Sequence, residues 1–448
     1  MHQTDRSVVF IHPEVRSTYQ RGIYLYAKSL VAGVRAAGFG TAMLTDFTLH
    51  GSEPGVRVRD LCQKIAKPPK EKIRSLQMLP KFFRHMHDPG RDLEVFRSFH
   101  SMAFDEANDY LNDVQCLLNV ERYYELCRLA ASKPFLPAVD VDLIKRVDGK
   151  VAFTTAPVAI RSCTRTIKVV QTVHDLIVLN TDVHGTNVVK FRRRLEAALK
   201  HADLVVAVSA YTKAEILSRY PEMQGRVKVI YQPIPANDAV VALSESPEIR
   251  SAVLERYGLQ PGNYVFYVGA IEERKNISCL IKAHQLSSCK GQIPLVLAGS
   301  VADGYAQKEG LTDLFFDETG KPLGLGKSGD IRYLGRIPEL DKLSLLRDAG
   351  VFAFPTITEG FGIPALEAQS MGCPVIATNS SALPEVVGDT AILLNDPTDV
   401  GELASALSCV MDDHDLQASL RSRGLVNSAR FTKNQFSKDL AEVLNLIM

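Results

Sequence analysis

Two glutamates, with seven residues between them, lie in a segment whose other residues favour anion binding. The segment, which follows the apolar run Val351–Phe354, reads Thr358-Glu359-Gly360-Phe361-Gly362-Ile363-Pro364-Ala365-Leu366-Glu367-Ala368. Pro364 suits the first turn of a helix, because its missing N–H would have no intrahelical partner there. The free N–H groups of Gly362 and Ile363 would then attract a negative charge. A capped structural helix explains the same spacing equally well.

The two carboxylates of this segment need neutral or cationic partners. Glu359 stands at the mouth of the predicted turn, and Glu367 lies one helical turn inside it. A carboxylate beside a phosphate site is unfavourable unless it contacts groups such as sugar hydroxyls or cations. The segment is therefore a candidate site for a ligand that carries both a phosphate and hydroxyl groups.

A basic pair, Arg274-Lys275, precedes a second helical segment. It follows the strand-like run Tyr264–Val268 and comes just before the apolar residues Ile277 and Leu280. Cations at a helix N-terminus oppose the helix dipole, so a bound anion would explain their position. A diphosphate would accept charge-assisted hydrogen bonds from such a pair. The alternative is a solvated pair at the start of an ordinary helix.

Two further candidates lie in the first half of the chain. The pair His174-Asp175 follows the strand-like run Lys168–Val173. Histidine beside a carboxylate serves as a base, as a sugar-binding pair or as a hydrogen-bonded core pair, and the residues alone favour the core pair. Gly22 precedes an apolar helical segment, where it either admits a ligand close to the backbone or merely shapes a turn.

Short apolar runs alternate with helix-length amphipathic stretches in both halves of the chain. Such runs are typical of parallel strands covered by helices, and the alternation predicts doubly wound α/β sheets. Ligands of these sheets bind at the carboxyl ends of the strands, where the candidate segments lie. The predicted strands are Val8–His12, Ala42–Thr45, Val114–Val120, Val169–Val173, Leu204–Val208, Tyr264–Val268, Leu295–Ala298, Ile331–Leu334, Phe352–Phe354, Val375–Thr378 and Ile392–Leu394.

The length of 448 residues favours two domains over one core. The proline-containing stretch Tyr231–Asp238 reads as an extended linker. We predict an N-terminal domain of residues 1–235 and a C-terminal domain of residues 236–429. A final helix at about 430–448 is predicted to pack back on the N-terminal domain.

Composition excludes several classes of function. The formal net charge of +1 gives no reason to expect a nucleic acid partner. The first residues lack a signal-peptide pattern, and no run approaches the ~20 apolar residues that span a bilayer, so we expect a cytoplasmic protein. The eight cysteines have no Cys-x-x-Cys spacing, which argues against zinc sites and disulfides.

One segment, Lys64–Arg91, has an unusual charge. It contains eight lysines and arginines against two acidic residues, with apolar residues between them. Such segments lie on anionic lipid in some proteins, which would place the chain peripherally on the inner face of the membrane. Because Pro68, Pro69 and Pro80 interrupt any long helix, a solvated surface is the preferred interpretation, and membrane contact is the alternative.

The glutamate segment resembles the signature of retaining GT-B glycosyltransferases, of the group 1 or family four, mannosyltransferase-like type. The resemblance continues through Met371–Ala377, Leu383–Gly388 and Asn395–Pro397 and covers about forty residues. It implies the GT-B fold, in which two Rossmann-like, doubly wound α/β domains face each other across a cleft. It also implies a nucleoside-diphosphate sugar as donor substrate, with no further cofactor and no metal.

The resemblance assigns roles to the candidate residues. It implies that Glu359 contacts the transferred sugar, that Glu367 contacts the ribose and that Lys275 binds the diphosphate. The family's other basic residue, which follows the glycine, is replaced here by Ala270, so Arg274 substitutes for it only in part. The remaining implied roles are catalysis near the donor sugar for His174 and Asp175, diphosphate binding for Gly22, Gly362 and Ile363, and base binding for Ile337.

The function implied by the resemblance is transfer of a hexose-type sugar to a glycan or lipid-linked acceptor hydroxyl, in polysaccharide or lipopolysaccharide biosynthesis. In the His174-Asp175 pair and the segment Gly269–Asn276, the chain most resembles enzymes that use GDP-sugars such as GDP-mannose, and this resemblance implies such a donor. A sugar-nucleotide epimerase and a pyridoxal-dependent phosphorylase are alternatives of similar architecture. A non-catalytic nucleotide-sugar-binding protein is the alternative from a different functional class.

Overall fold

The computed structural model describes residues 6–13, 22–67, 78–97, 99, 109–133, 135–180, 187–319, 321, 323 and 329–448. The chain divides into an N-terminal unit, Met1–Pro233 with Lys433–Met448, and a C-terminal unit, Ile234–Thr432. From sequence we predict boundaries between residues 235 and 236 and between residues 429 and 430, within three residues of the observed ones. Among the described residues, no helix combines the length and the apolar character needed to cross a membrane.

The N-terminal unit is built on a mostly parallel sheet. Its described strands are β1 (Ser7–Ile11), β2 (Gly40–Thr45), β3 (Leu93–Phe96), β4 (Cys116–Val120), β5 (Val139–Asp140), β6 (Gly149–Thr154), β7 (Ile160–Arg161), β8 (Lys168–Val173), β9 (Leu204–Ala207) and β10 (Val227–Val229). The main sheet has the order β10-β9-β8-β6-β1-β2-β4-β3, and only the β3–β4 pair is antiparallel. The short strands β5 and β7 form a separate parallel pair.

Helices cover this sheet, so its central strands are buried on both faces. The described helices are α1 (Gly22–Ala36), α2 (Pro54–Ala66), α3 (Leu79–His87), α4 (Tyr123–Ser132), α5 (Ile177–Asn180), α6 (Val188–Lys200) and α7 (Ala210–Arg219). Every residue of β2 and β4 is buried. This burial explains why these strands read as continuous apolar runs rather than as alternating ones.

The C-terminal unit contains a second parallel sheet. Its described strands are β11 (Val265–Val268), β12 (Leu295–Ala298), β13 (Ile331–Tyr333), β14 (Val351–Phe354), β15 (Val375–Thr378) and β16 (Ile392–Leu394), and its described helices are α8 (Asp238–Leu243), α9 (Pro247–Tyr257), α10 (Ile277–Leu286), α11 (Tyr305–Lys308), α12 (Thr312–Phe315), α13 (Glu339–Asp348), α14 (Ile363–Ser370), α15 (Leu383–Val387), α16 (Val400–Asp412) and α17 (His414–Ser428). The strand order is β13-β12-β11-β14-β15-β16. Strands β12, β14 and β15 are wholly buried.

Three strands of the N-terminal sheet were missed by the sequence prediction. The central strand β6 was not predicted, although its residues Val151–Phe153 are apolar and buried. The strands β3 and β10 lie at the two edges of the sheet and are partly exposed. Short, partly exposed edge strands have few consecutive apolar residues, so the hydrophobic pattern did not predict them.

The helix boundaries follow local signals, as α9 illustrates. The Ser246 side chain accepts a hydrogen bond from the N–H of Ile249, and Pro247 occupies the first turn. At the other end, Gly258 adopts a left-handed conformation with φ of 62°. These residues satisfy groups that the helix itself leaves without partners.

The last helix, α18 (Lys433–Ile447), belongs to the N-terminal unit. It buries Phe436, Leu440 and Leu444 and packs against α1. A methyl group at Gly33 of α1 would lie 2.9 Å from the Leu440 side chain, so the small residue lets the two helices approach closely. The chain therefore leaves the N-terminal unit and returns to complete its core.

We expect Phe436→Ala to destabilise the N-terminal unit by about 3–5 kcal/mol, because it leaves a cavity under α18. Phe436 is 2% exposed, whereas Leu446 of the same helix is 66% exposed and provides the matched control as Leu446→Ala. Hydrogen–deuterium exchange of α1 peptides measures the effect locally, since a two-unit protein need not unfold in one step. Equal exchange of α1 in the two variants would contradict the packing of α18 against α1.

Candidate functional site

The C-terminal sheet reverses its winding between β11 and β14. The chain builds β12 and β13 on one side of β11, and β15 and β16 on the far side of β14. Loops leaving two such strands diverge, and ligands of doubly wound sheets bind in the crevice between them. The loop after β11 carries Arg274 and Lys275, and the loop after β14 carries Glu359.

These two loops meet at one carboxylate oxygen. The Lys275 ammonium donates a hydrogen bond to Oε1 of Glu359, and Nη1 of Arg274 lies 2.9 Å from the same oxygen. The Thr356 hydroxyl also donates to Oε1, at 3.1 Å. The second oxygen, Oε2 of Glu359, has no hydrogen-bond partner within the described part of the chain.

Further hydrogen bonds fix the position of the cluster. The N–H of Ile357 donates to the carbonyl of Arg274 at 2.9 Å, and Nη1 of Arg274 donates to the carbonyl of Thr358 at 2.7 Å. The N–H of Glu359 donates to the Ser381 hydroxyl at 2.8 Å. The Lys275 ammonium also lies 4.8 Å from the centre of the Phe354 ring, a favourable cation–π distance.

Two members of the cluster, Lys275 and Glu359, are shielded from water, whereas the Arg274 side chain is 27% exposed. Lys275 is 7% exposed and Glu359 is 9% exposed. Burial lowers the pKa of Lys275, and the neighbouring Glu359 only partly offsets that effect. Burial would raise the pKa of Glu359, but the charges of Lys275 and Arg274 outweigh it, so this pKa lies below its ordinary value. Glu359 is therefore ionised near neutral pH.

Helix α14 begins beside this cluster. Gly362 precedes it with φ of 107°, and a Cβ there would lie 2.5 Å from Cδ2 of Leu383, so glycine is required. Pro364 lies in the first turn, which confirms the sequence prediction. The first N–H groups of a helix have no intrahelical partner and favour an anion. Gly362 and Ile363 lie at this helix start, and their contact with a diphosphate stays a prediction.

Glu367 lies four residues after Ile363, on the same face of α14. It is 5% exposed, and its Oε1 accepts a hydrogen bond of 2.8 Å from the ammonium of Lys342 on α13. Ile337 lies two residues before α13 and is partly buried against the core. The predicted ribose and base residues thus belong to α14 and to the loop that leads into α13.

The N-terminal sheet has its own reversal, between β1 and β6. His12 follows β1, Thr155 follows β6 and His174 follows β8, so three adjacent strand ends supply polar groups. Nδ1 of His12 lies 2.8 Å from the Thr155 hydroxyl. Nε2 of His174 donates to the Thr155 carbonyl at 2.9 Å, and the His174 ring packs edge-on against Tyr26.

Both histidines are neutral at physiological pH. Burial lowers the pKa of His174 to about 4, against a weaker opposing effect of the Thr155 carbonyl. Burial, together with repulsion from His174, lowers the pKa of His12 to about 3. A carbonyl only accepts hydrogen bonds, so Nε2 of His174 carries the proton and Nδ1 presents a lone pair.

The other two predicted residues of this unit have different surroundings. Oδ1 of Asp175 accepts a hydrogen bond of 3.1 Å from the N–H of Ile177, which opens the short helix α5. Gly22 is the exposed first residue of α1, and a Cβ there would have no atom within 4 Å. Packing therefore does not require glycine at position 22. The predicted reason for the glycine, close approach of a ligand to the backbone, stays a prediction.

Several residues that complete these clusters were not predicted from sequence. Lys342 and Thr356 contact the two glutamates directly, and Ser381 fixes the backbone of Glu359. Thr155 contacts His174 through its carbonyl and His12 through its hydroxyl. His12 had a usable signal, because it ends a predicted strand, whereas Lys342 lies in the middle of an ordinary amphipathic helix.

The basic segment Lys64–Arg91 lies only partly within the described residues, since 68–77 fall outside them. Two of its lysines are engaged in ion pairs, Lys64 with Asp60 and Lys81 with Glu121. Phe83 of α3 is 59% exposed. Membrane contact through this segment stays a prediction.

Two family models match the chain. Residues 255–425 match the family described as Glycosyl transferases group 1, and residues 22–238 match Glycosyltransferase Family 4. The first match lies within the C-terminal unit, and the second covers most of the N-terminal unit and extends five residues into the C-terminal unit.

Similar curated proteins include three mannosyltransferases. O-antigen chain mannosyltransferase B of Escherichia coli is 32% identical over 269 residues, which are 59% of this chain and 67% of that protein. Serotype-specific mannosyltransferase WbdA of Escherichia coli is 29% identical over 270 residues, and the match spans only 32% of its length. A GDP-mannose-dependent monoacylated alpha-(1-6)-phosphatidylinositol monomannoside mannosyltransferase of Corynebacterium glutamicum is 27% identical over 52% of this chain and 59% of that protein.

A solved structure similar over nearly the whole chain is Anabaena HepE in complex with UDP-glucose. It has a TM-score of 0.61 and 15% sequence identity, and the match covers 98% of this chain and 99% of that one. This likeness establishes the fold, two Rossmann-like α/β domains of the GT-B class. With both family models and the first of these relatives in agreement, the chain is a member of the glycosyl transferases group 1 family.

Proposed function

We propose that this protein transfers a hexose, with mannose favoured, from a GDP-sugar to a hydroxyl of a glycan or lipid-linked glycan. The transfer retains the configuration of the anomeric carbon and needs no metal ion. The observation that carries this proposal is the charged cluster beside the start of α14, in which Lys275 and Glu359 are buried and Arg274 is partly buried.

The cluster suits a sugar diphosphate because it combines two kinds of group. The Lys275 ammonium has three N–H donors, one of which is used by Glu359. We assign the remaining donors, with the N–H groups of Gly362 and Ile363, to the diphosphate oxygens. These groups stabilise the charge that builds on the departing diphosphate, the task that a divalent cation performs in other enzymes.

Glu359 supplies the contact with the sugar. Its Oε1 is held by two cations and a hydroxyl, while Oε2 has no hydrogen-bond partner among the described residues. An ionised oxygen accepts hydrogen bonds from sugar hydroxyls. We infer that Oε2 binds hydroxyls of the transferred hexose and so orients its anomeric carbon.

The proposed reaction needs no enzyme nucleophile. The bond between the anomeric carbon and the diphosphate oxygen breaks, and its electron pair leaves with the diphosphate. The acceptor oxygen bonds to the anomeric carbon on the same face, and its proton passes to the departing phosphate oxygen. Positioning and charge stabilisation then provide most of the acceleration.

His174 is proposed as an acceptor of a hydroxyl hydrogen bond rather than as a general acid. Its pKa of about 4 keeps it neutral, and its Nε2–H is committed to the Thr155 carbonyl. The Nδ1 lone pair is the group left for a sugar hydroxyl. Asp175 fixes the start of α5 and is proposed to keep the loop that carries His174 in place.

The donor identity rests on the relatives. Two are named mannosyltransferases and a third is named GDP-mannose-dependent, which supports GDP-mannose. The similar fold of HepE was solved with UDP-glucose, so UDP-sugars are the competing donors in any binding test.

We expect a thermal-shift screen against GDP, UDP, ADP and their sugars to give a clear shift with GDP. A ligand at 100 times its Kd stabilises the folded protein by about 2.7 kcal/mol. Lys275→Met should reduce the affinity for GDP by about 10–100-fold, because charge-assisted hydrogen bonds are lost. Lys308→Met is the matched control, since Lys308 pairs with Glu273 of the same loop and is 53% exposed. Equal GDP affinity in the two variants would exclude the assigned role of Lys275.

We expect Glu359→Gln to retain GDP binding and to slow GDP release from GDP-mannose by about 100-fold or more. The amide keeps the shape of the side chain but removes the charge that orients the sugar. Glu273→Gln makes the same change at an exposed residue of the first loop and should turn over at the wild-type rate. Assays run with and without a lipid-linked glycan separate transfer from hydrolysis. Normal turnover by Glu359→Gln would refute the mechanism, and absence of any turnover in the wild type would favour a non-catalytic binding protein.

We expect NMR titration of labelled histidines to give His174 a midpoint near pH 4. Its pKa in the unfolded chain is about 6.5, so protonation favours unfolding. The stability that the neutral ring contributes is complete above about pH 6.5 and is lost as the pH falls towards 4. His174→Gln should weaken this pH dependence, whereas His50→Gln, at a surface position, should leave it in place. A His174 midpoint above pH 6 would contradict the neutral, hydrogen-bond-accepting role.

A further inference from the structure

Lys342 forms a buried ion pair with the predicted ribose-binding glutamate. Its ammonium lies 2.8 Å from Oε1 of Glu367, and the two side chains are 19% and 6% exposed. Lys342 lies in the middle of α13, outside the segments that resemble the glycosyltransferase signature. The resemblance therefore assigns it no role. The pair links α13 to α14, two helices of the same unit.

The pair occupies one oxygen of the carboxylate and leaves the other unused. Oε1 of Glu367 accepts from Lys342, whereas Oε2 has no hydrogen-bond partner within the described part of the chain. Glu359 shows the same pattern. Its Oε1 contacts two cations, and its Oε2 has no hydrogen-bond partner among the described residues. Each glutamate is thus fixed by protein at one oxygen and presents the other for hydroxyl groups.

The carboxylate of Glu367 favours the charged form of Lys342. Burial would lower the pKa of Lys342, but Glu367 and, less strongly, Glu339 outweigh it and raise that pKa above its ordinary value. Lys342 is therefore a permanent cation near neutral pH. Without it, the Glu367 carboxylate would be buried with no opposite charge, a costly arrangement in the protein interior.

The helix that carries Lys342 is itself anchored. Asp341 accepts hydrogen bonds of 2.7 Å from Arg256 and from the Tyr257 hydroxyl, both at the end of α9. These contacts fix α13 next to Lys342 without touching Glu367. Arg256 therefore offers a way to disturb the same helix independently of the carboxylate.

We propose that Lys342 is a positioning residue for ribose recognition. It holds Oε1 of Glu367 so that Oε2 accepts hydrogen bonds from the vicinal diol of a nucleoside diphosphate. This inference rests on the proposed function, because it requires a nucleotide at the start of α14. It predicts that loss of Lys342 weakens binding through the ribose hydroxyls and not through the diphosphate.

The test compares GDP with 2′-deoxy-GDP by calorimetry, using the full chain. The wild type should bind GDP about tenfold or more tightly than 2′-deoxy-GDP, the difference expected for a hydrogen bond to a charged group. Lys342→Met should weaken GDP binding by about tenfold and reduce this preference to less than about threefold. Its affinity for 2′-deoxy-GDP should change little, because that ligand lacks the hydroxyl concerned.

Two further variants keep the test decisive. Lys342→Gln replaces Lys342→Met if the latter fails to fold, because the polar glutamine tolerates the partial exposure of this position. We expect Lys342→Gln to lose the preference for GDP over 2′-deoxy-GDP in the same way. Arg256→Met removes an ion pair from the same helix and should lower thermal stability while the ribose preference persists. A merely structural role of Lys342 would make its variants behave like Arg256→Met.

The outcomes separate this inference from the proposed function. A ribose preference that persists in folded Lys342 variants, or is already absent in the wild type, would overturn the role of Lys342 while nucleotide binding stands. If the protein binds UDP instead of GDP, the same test compares UDP with 2′-deoxy-UDP. A wild type that binds neither nucleotide would refute the proposed function, and the present inference with it.

Discussion

In the C-terminal unit, two loops separated by 84 residues of sequence meet through the hydrogen bond between Lys275 and Glu359. Parallel strands bring this about, because β11 and β14 are neighbours and their carboxyl ends lie at one edge of the sheet. The carbonyl of Arg274 accepts from the N–H of Ile357, so backbone and side chains join the same loops. The geometry of the candidate donor site depends on this contact.

Removing these charged groups from water costs free energy, and the opposite charges within the cluster offset part of that cost. Two cations, Arg274 and Lys275, face Glu359, and Glu272 contacts Arg274 from its other side. Desolvated charges need opposite charges and hydrogen bonds, and a buried ion pair contributes little to stability by itself. We therefore propose that the cluster is kept for ligand recognition, because oriented donors with little exposure to water suit a diphosphate.

The N-terminal unit applies the same topological rule with different chemistry. Its sheet also reverses, and His12, Thr155 and His174 lie at the adjacent strand ends. Here burial neutralises the titratable groups rather than pairing them, because the pKa of each histidine lies well below 6.5. Neutral rings with fixed protons are suited to hydroxyl groups, whereas the charged cluster of the C-terminal unit is suited to phosphates.

The α/β class, most of the strands and the places of Glu359, Glu367, Lys275 and His174 after strand-like runs were predictable from the amino-acid order alone. These features are local, since a strand end, a proline in a first turn and a glycine before a helix act within a few residues. Which side chains contact one another became known from the folded structure. His12 and Thr155 are 143 residues apart, and Lys342 and Glu367 are 25 apart on different helices. Such pairs depend on strand order and helix packing, and no periodicity along the chain encodes either of them.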